Sequence, residues 1–131
     1  MIGAGRAYLQ TRNETASRER LMVLLFEAAL RHTRMGTAAI EARRPADAVQ
    51  ALTRASDIVA ELMATLDRKR APELCDNLLG VYTFAAQRLM RAVVADDAGA
   101  AREAERVLAP VAEAFAEAVR EVERQGTGAP R

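Results

Sequence analysis

Tryptophan is absent, His32 is the single histidine, Cys75 is the single cysteine, and aromatics make up only 4% of the 131-residue chain. One Cys excludes an internal disulfide and suits a reducing compartment. Neither sign of charge dominates. With a formal net charge of +1, no general field exists to hold nucleic acid or an anionic membrane. No apolar run approaches the roughly 18 residues that span a bilayer. The opening stretch from Met1 to Tyr8 has no apolar signal core, so a cytoplasmic protein is expected. No Gly-rich phosphate loop is present.

What is there forms helix. Half of the residues are hydrophobic, many of them Ala, which gives up the least side-chain freedom in a helix. Four periodic segments follow one another, and none repeats another. The first, about 17–43, carries Leu21, Leu25, Ala28, His32, Met35 and Ala39 at alternating steps of four and three, which keeps them on one helix face. Ser17 reads as its N-cap, and Pro45 follows its end. The second, about 46–68, aligns Ala48, Leu52, Ala55, Val59, Leu62 and Leu66, and closes on the basic run Arg68, Lys69, Arg70. The third, Pro72 to Ala95, aligns Leu74, Leu78, Tyr82, Ala85, Leu89 and Ala92, with Pro72 as a suitable first helical residue. The fourth, about 98–124, has Asp96 or Asp97 as cap. It aligns Ala101, Ala104, Leu108, Val111, Phe115, Ala118 and Val122. The phase survives Pro110, which argues for one kinked helix over two.

Helices of this length span roughly 35–40 Å, and short connections force antiparallel neighbours. The expected fold is therefore all-α: an antiparallel up-down-up-down four-helix bundle with an irregular N-terminal segment. Its organisation reads as a flexible segment at 1–16, the bundle at 17–124 and a disordered tail at 125–131.

Catalysis needs convergent polar groups, and few are available. A metal-binding His32 would want a ligand three or four residues away on its own helix. Those positions hold Ala28, Ala29, Met35 and Gly36. The stretch His32-Thr33-Arg34-Met35-Gly36 loosely echoes the phosphotransfer site of four-helix signalling domains, although Met35 stands where a Lys would help neutralise the phosphoryl group. Because His32 lies on the apolar stripe, packing at the core or its edge is the plainer reading. Cys75, near a helix start, has no His close in sequence and reads as a small packing residue. Asp96 and Asp97 read as caps. No cofactor, metal or small-molecule substrate is expected, and a non-enzymatic binding module is the likelier class on these grounds. The run Leu21-Met22-Val23-Leu24-Leu25-Phe26 adds apolar surface beyond one stripe, which either sits deep in a core or serves a partner.

Tyr8, then Thr15-Ala16-Ser17, then Leu21 to Ala29 resembles the opening of FliS-type flagellar export chaperones, where a Tyr precedes Thr-Ala-Ser-Pro and a helix of the form Leu-Ile-x-Met-Leu-Tyr-Asp-Gly-Ala. Ala55 to Asp67 resembles the family's second helix, Asn77-Leu78 with Tyr82, Arg88 and Leu89 its third, and Ala114-Phe115 its Ala-Trp. The match covers about residues 8–120. The chain departs from the pattern at Arg18 (for Pro), at Phe26-Glu27-Ala28 (for Tyr-Asp-Gly) and at Phe115 (for Trp). The resemblance implies a cytosolic chaperone that binds the C-terminal region of flagellin and prevents premature polymerisation. Contact with the flagellar export gate is a further family property. It also implies a self-cap by the N-terminal segment with Tyr8 and Leu9. The candidate flagellin groove is formed by Ile58, Met63, Leu79, Met90 and Val107. The alternative reading remains a phosphotransfer domain using His32.

Overall fold

The computed structural model describes the backbone of residues 2–128, and the side chains of Arg6 and residues 17–126. Four helices make up these residues, with no strand among them: α1 Ile2–Glu41, α2 Pro45–Ala64, α3 Pro72–Ala95 and α4 Ala98–Gly128. Consecutive helices pack on one another, and α1 closes the ring against α4. The result is the up-down-up-down bundle. Arg20 pairs with Glu123 at 3.0 Å, Arg34 with Glu105 at 2.6 Å, and Arg102 with Glu41. Residue numbers rise along α1 as they fall along α4, so this seam is antiparallel and laced with ion pairs. Arg88 joins α3 to α4 through Glu103 at 2.9 Å.

α1 begins at Ile2 rather than at Ser17, so the irregular N-terminal segment expected from the sequence is helical in its backbone. The physical reason lies at position 18. A Pro there would favour a fresh helix start, since it lacks an N–H and its ring clashes with the preceding turn. Arg18 carries the N–H and a good helix-forming side chain, so the helix runs through Ser17 without a cap. At the other end, α4 extends to Gly128, past the expected end at Arg124; residues 129–131 lie outside the described residues.

α2 stops at Ala64, short of the expected Arg68. The Thr65 hydroxyl donates to the Leu62 carbonyl at 2.7 Å. The Thr65 and Leu66 amides reach back only three residues, the tightening seen where helices end. Lys69 N–H then donates to Asp67 Oδ1 at 3.1 Å, an Asx-type turn, and Arg68 pairs with Asp76 at 3.1 Å across the connection. Two connections use left-handed residues, Arg43 (φ 60°) after α1 and Asp96 (φ 51°) after α3. Asp97 caps α4 by accepting from the Ala100 N–H at 3.1 Å. Its carboxyl lies below its ordinary pKa, chiefly because of that backbone hydrogen bond, with Arg91 also contributing.

The core is continuous along the bundle: Phe26 and Leu30 of α1, Leu52, Val59 and Leu62 of α2, Tyr82 and Leu89 of α3, Ala101, Ala104 and Leu108 of α4. Phe26 lies 5.7 Å from Phe115 and 6.2 Å from Tyr82, centroid to centroid, in the tilted arrangements aromatic rings favour. Burial pushes the Tyr82 phenol up to about 12.

The stripes of α2 and most of α3 are buried as read from the sequence, but that of α1 is buried only at Ala39, with Leu25 partly buried against the core. Leu21 and Met35 are more than half exposed, and the buried face is Phe26, Ala29, Leu30, Thr33, Gly36 and Thr37. Thr33 and Thr37 are satisfied locally. Each hydroxyl donates to the carbonyl four residues back, Ala29 at 2.7 Å and Thr33 at 3.1 Å. Gly36 admits Leu52 of α2 so closely that an added Cβ would lie 2.4 Å from Leu52 Cδ2. Leu74 and Val122, at the ends of the α3 and α4 stripes, are exposed as well.

Candidate partner-binding surface

The seam between α2 and α3 carries a run of apolar side chains, three of them exposed and two half-buried. Two ligations fix which flank of each helix is which. Ala51 and Arg54 of α2 line a groove with α1, so the opposite flank of α2 faces α3. Arg88 of α3 binds Glu103 of α4, so the opposite flank of α3 faces α2. At about 100° per residue, the α2 flank toward α3 carries Val49, Ser56, Ala60 and Met63. The α3 flank toward α2 carries Leu79, Ala86, Met90 and Val94. Met90 is 65% and Val94 78% exposed, Val49 is 46%, and Met63 and Leu79 are half-buried. Because the helices run antiparallel, Met63 and Leu79 lie toward the connection at 65–71, and Val49, Met90 and Val94 toward the far end.

The structure thus brings together Met63, Leu79 and Met90 of the sequence candidates and separates the others. Ile58 follows Ala51 and Arg54 at helical spacing and belongs to the α1 flank of α2. Val107 follows Glu103 by one turn, packs partly against the core, and belongs to the α3/α4 seam. The side chains of Tyr8 and Leu9 lie outside the described residues. Val49 and Val94 were missed from sequence. Val94 is one turn beyond Met90, and continuing that spacing would have found it.

This surface offers no chemistry of its own: no carboxylate pair, thiol or imidazole lies on it. Cys75 is buried. Among the described residues, no group of three or more His, Cys, Asp and Glu side chains is placed to hold a metal. No helix among them is long and apolar enough to cross a membrane. His32 lies elsewhere, in the groove between α1 and α2. Its Nδ1 is buried without a hydrogen-bond partner. Its pKa is lowered by desolvation first, then by the charges of Arg31 and Arg54. What the α2/α3 seam can do is bury apolar side chains of another chain. Each large side chain moved fully from water is worth about 1.5–3 kcal/mol.

The family model for flagellar protein FliS matches residues 1–122. The chain is also 26% identical over 106 residues to the flagellar secretion chaperone FliS of Escherichia coli (strain K12), a match that covers 80% of this chain and 78% of that protein.

Proposed function

We infer that this chain, which belongs to the FliS family of flagellar proteins, is a cytosolic chaperone that holds the C-terminal segment of flagellin until export. The observation that carries the reading is the uncovered apolar seam of Val49, Met63, Leu79, Met90 and Val94, on a protein whose relative is named a flagellar secretion chaperone. A chain end that would polymerise through its apolar face is kept soluble if that face is buried in a groove first. Anchors at helical spacing suit such a groove, and a segment that folds as it binds can release without covalent chemistry. The reading assigns no reaction to the protein.

The proposed self-cap by Tyr8 and Leu9 carries a geometric condition. Gly36 packs on Leu52, and in the antiparallel α1/α2 pair this sets Ala64, the last residue of α2, level with Leu24. Tyr8 is sixteen residues before Leu24, which is about 24 Å along a continuous helix. The segment can therefore reach the α2/α3 seam only if α1 unwinds ahead of Leu21. Deleting residues 1–14 is expected to leave the bundle folded and to tighten flagellin binding; weaker binding would assign the segment to the docking surface instead.

Isothermal titration with a peptide of the C-terminal region of flagellin tests the main reading. Binding is expected in the micromolar range or tighter, with Met90→Lys and Val94→Asp each weakening it at least tenfold while circular dichroism stays unchanged. Absence of binding to the unmodified chain would overturn the assignment.

A further inference from the structure

The α1/α4 seam is closed by three ion pairs. The α1/α2 seam has none among the described residues. In its place lies an open groove of about 820 Å³. Buried Ala39 and Ala51 form its floor, exposed Ala38 and Ala42 stand with His32 and Met35 on its α1 side, and Arg44, Gln50 and Arg54 stand on its α2 side. Met35 is 52% exposed. Asp47 is the one acidic residue in the lining. Arg31, next to His32, adds a third positive charge to the field at this site. Among the described residues, none of these three arginines makes an ion pair. The guanidinium groups that face α4 from α1, Arg20 and Arg34, are both compensated.

The groove runs along α1 from His32 to Ala42, about 15 Å at the helical rise, or some three turns. A floor of Cβ atoms has no knobs of its own and accepts those of an occupant. The rim supplies positive charge from Arg44 and Arg54. These features describe one kind of ligand. We propose that the α1/α2 groove is a second docking site, for an acidic amphipathic helix of a partner protein, whose apolar side chains lie on the Ala floor beside Met35 and whose carboxylates pair with Arg44 and Arg54. The α2/α3 seam is neutral by comparison: Val49, Ser56, Ala60, Met63, Leu79, Ala86, Met90 and Val94 carry no charge. The two surfaces flank α2 on opposite sides, so both can be occupied at once, and the second site stands whether or not flagellin fills the first.

The test uses the full chain and a fluorescein-labelled peptide of about 18 residues, long enough to hold a helix. It is built from Leu at steps of three and four, with Ala and Glu elsewhere. A matched peptide carries Lys in place of every Glu. The Glu peptide is expected to bind, with affinity that falls as salt rises, and the Lys peptide is not. The double variant Arg44→Ser, Arg54→Ser is expected to weaken the Glu peptide about tenfold. Met90→Lys, on the other seam, should leave it unchanged. In histidine-selective NMR the His32 ring signals should shift on addition of the Glu peptide. No binding of the Glu peptide, equal binding of the Lys peptide, or binding lost with Met90→Lys but kept in the double arginine variant would each overturn the proposal.

Discussion

Replacing Gly by Ala should stabilise the protein at one position and fail to do so at another. Gly36 and Gly80 both lie inside helices, α1 and α3, and the intrinsic gain from Gly to Ala in a helix is about 1 kcal/mol. The loss of unfolded-chain freedom is the same at both sites. Their surroundings differ. A Cβ at Gly80 meets nothing within 4 Å, whereas at Gly36 it falls 2.4 Å from Leu52 Cδ2 and 2.5 Å from Leu52 Cγ. Leu52 is fully buried, so its Cγ has no open space to swing into. Overpacking of this kind costs about 1–3 kcal/mol. Gly80→Ala should therefore stabilise by about 1 kcal/mol, near 4 °C in Tm for a domain of this size. Gly36→Ala should come out between neutral and about 2 kcal/mol destabilising, the steric cost less the propensity gain. Thermal unfolding followed by circular dichroism reads both. Leu52→Ala in the Gly36→Ala background should recover part of the loss beyond additivity, since the two side chains share one site. A Gly36→Ala protein that gains as much as Gly80→Ala would refute the close approach of α1 and α2.

Three further outcomes follow from local structure. Pro110→Ala restores the hydrogen bond to the Arg106 carbonyl that an interior Pro removes, and should stabilise α4 by about 1–3 kcal/mol in chemical denaturation; a loss would mean the kink is required for packing. Asp97 has a lowered pKa, so its contribution is present above the unfolded value of 3.8 and is lost as pH falls through the lower folded value. Asp97→Asn keeps a capping side chain and should flatten that acid limb of the Tm profile, a result that an unchanged profile would contradict. His32 also has a lowered pKa, so the unfolded chain binds more protons as pH falls through its ordinary value of about 6.5 and the native state loses stability on acidification; His32→Gln should remove that component of the acid side of the Tm profile.

Much of this fold could be read from side-chain period alone. Pro72 and Ala95 bound α3 as expected, Asp97 caps α4, and Ala48 through Leu62 form the buried face of α2. The ends of α1 and α2 were less legible, because they depend on competing hydrogen bonds. Thr65 turns back on Leu62, and Arg18 lets a helix continue where a Pro would restart it. The departures Phe26 and Phe115 are informative as a pair. One lacks a hydroxyl and the other is smaller than Trp, and they meet in the core at 5.7 Å, which no linear pattern announces. For the partner surface, Met63, Leu79 and Met90 were chosen as apolar residues outside the stripes, and they fall on one seam. Ile58 and Val107 were chosen by the same rule and fall on two others, because a position beside a stripe does not say which neighbouring helix its flank faces; of the five only Met90 is exposed.

The misreading of α1 has a cause that bears on binding. Hydropathy selects Leu21, Leu25, Ala28, His32, Met35 and Ala39, but apart from Ala39 the face that packs lies one residue on, about 100° around the helix. There Ala29, Thr33, Gly36 and Thr37 are small enough to let α2 approach, and the two hydroxyls are spent on the helix's own carbonyls. Close approach of backbones outweighs the hydropathy of single side chains when a bundle is built on Ala and Gly. His32 and Met35 are thus turned out of the core into the α1/α2 groove, where Met35 stands half exposed. A side chain in that position contributes little to folding. Met35→Lys should change stability by no more than about 0.5 kcal/mol, while Phe26→Ala, one stripe away and 2% exposed, should cost about 3–5 kcal/mol. Urea titration of the two variants separates the stripes. A Met35→Lys protein destabilised by more than about 2 kcal/mol would return that stripe to the core and leave the groove without its apolar wall.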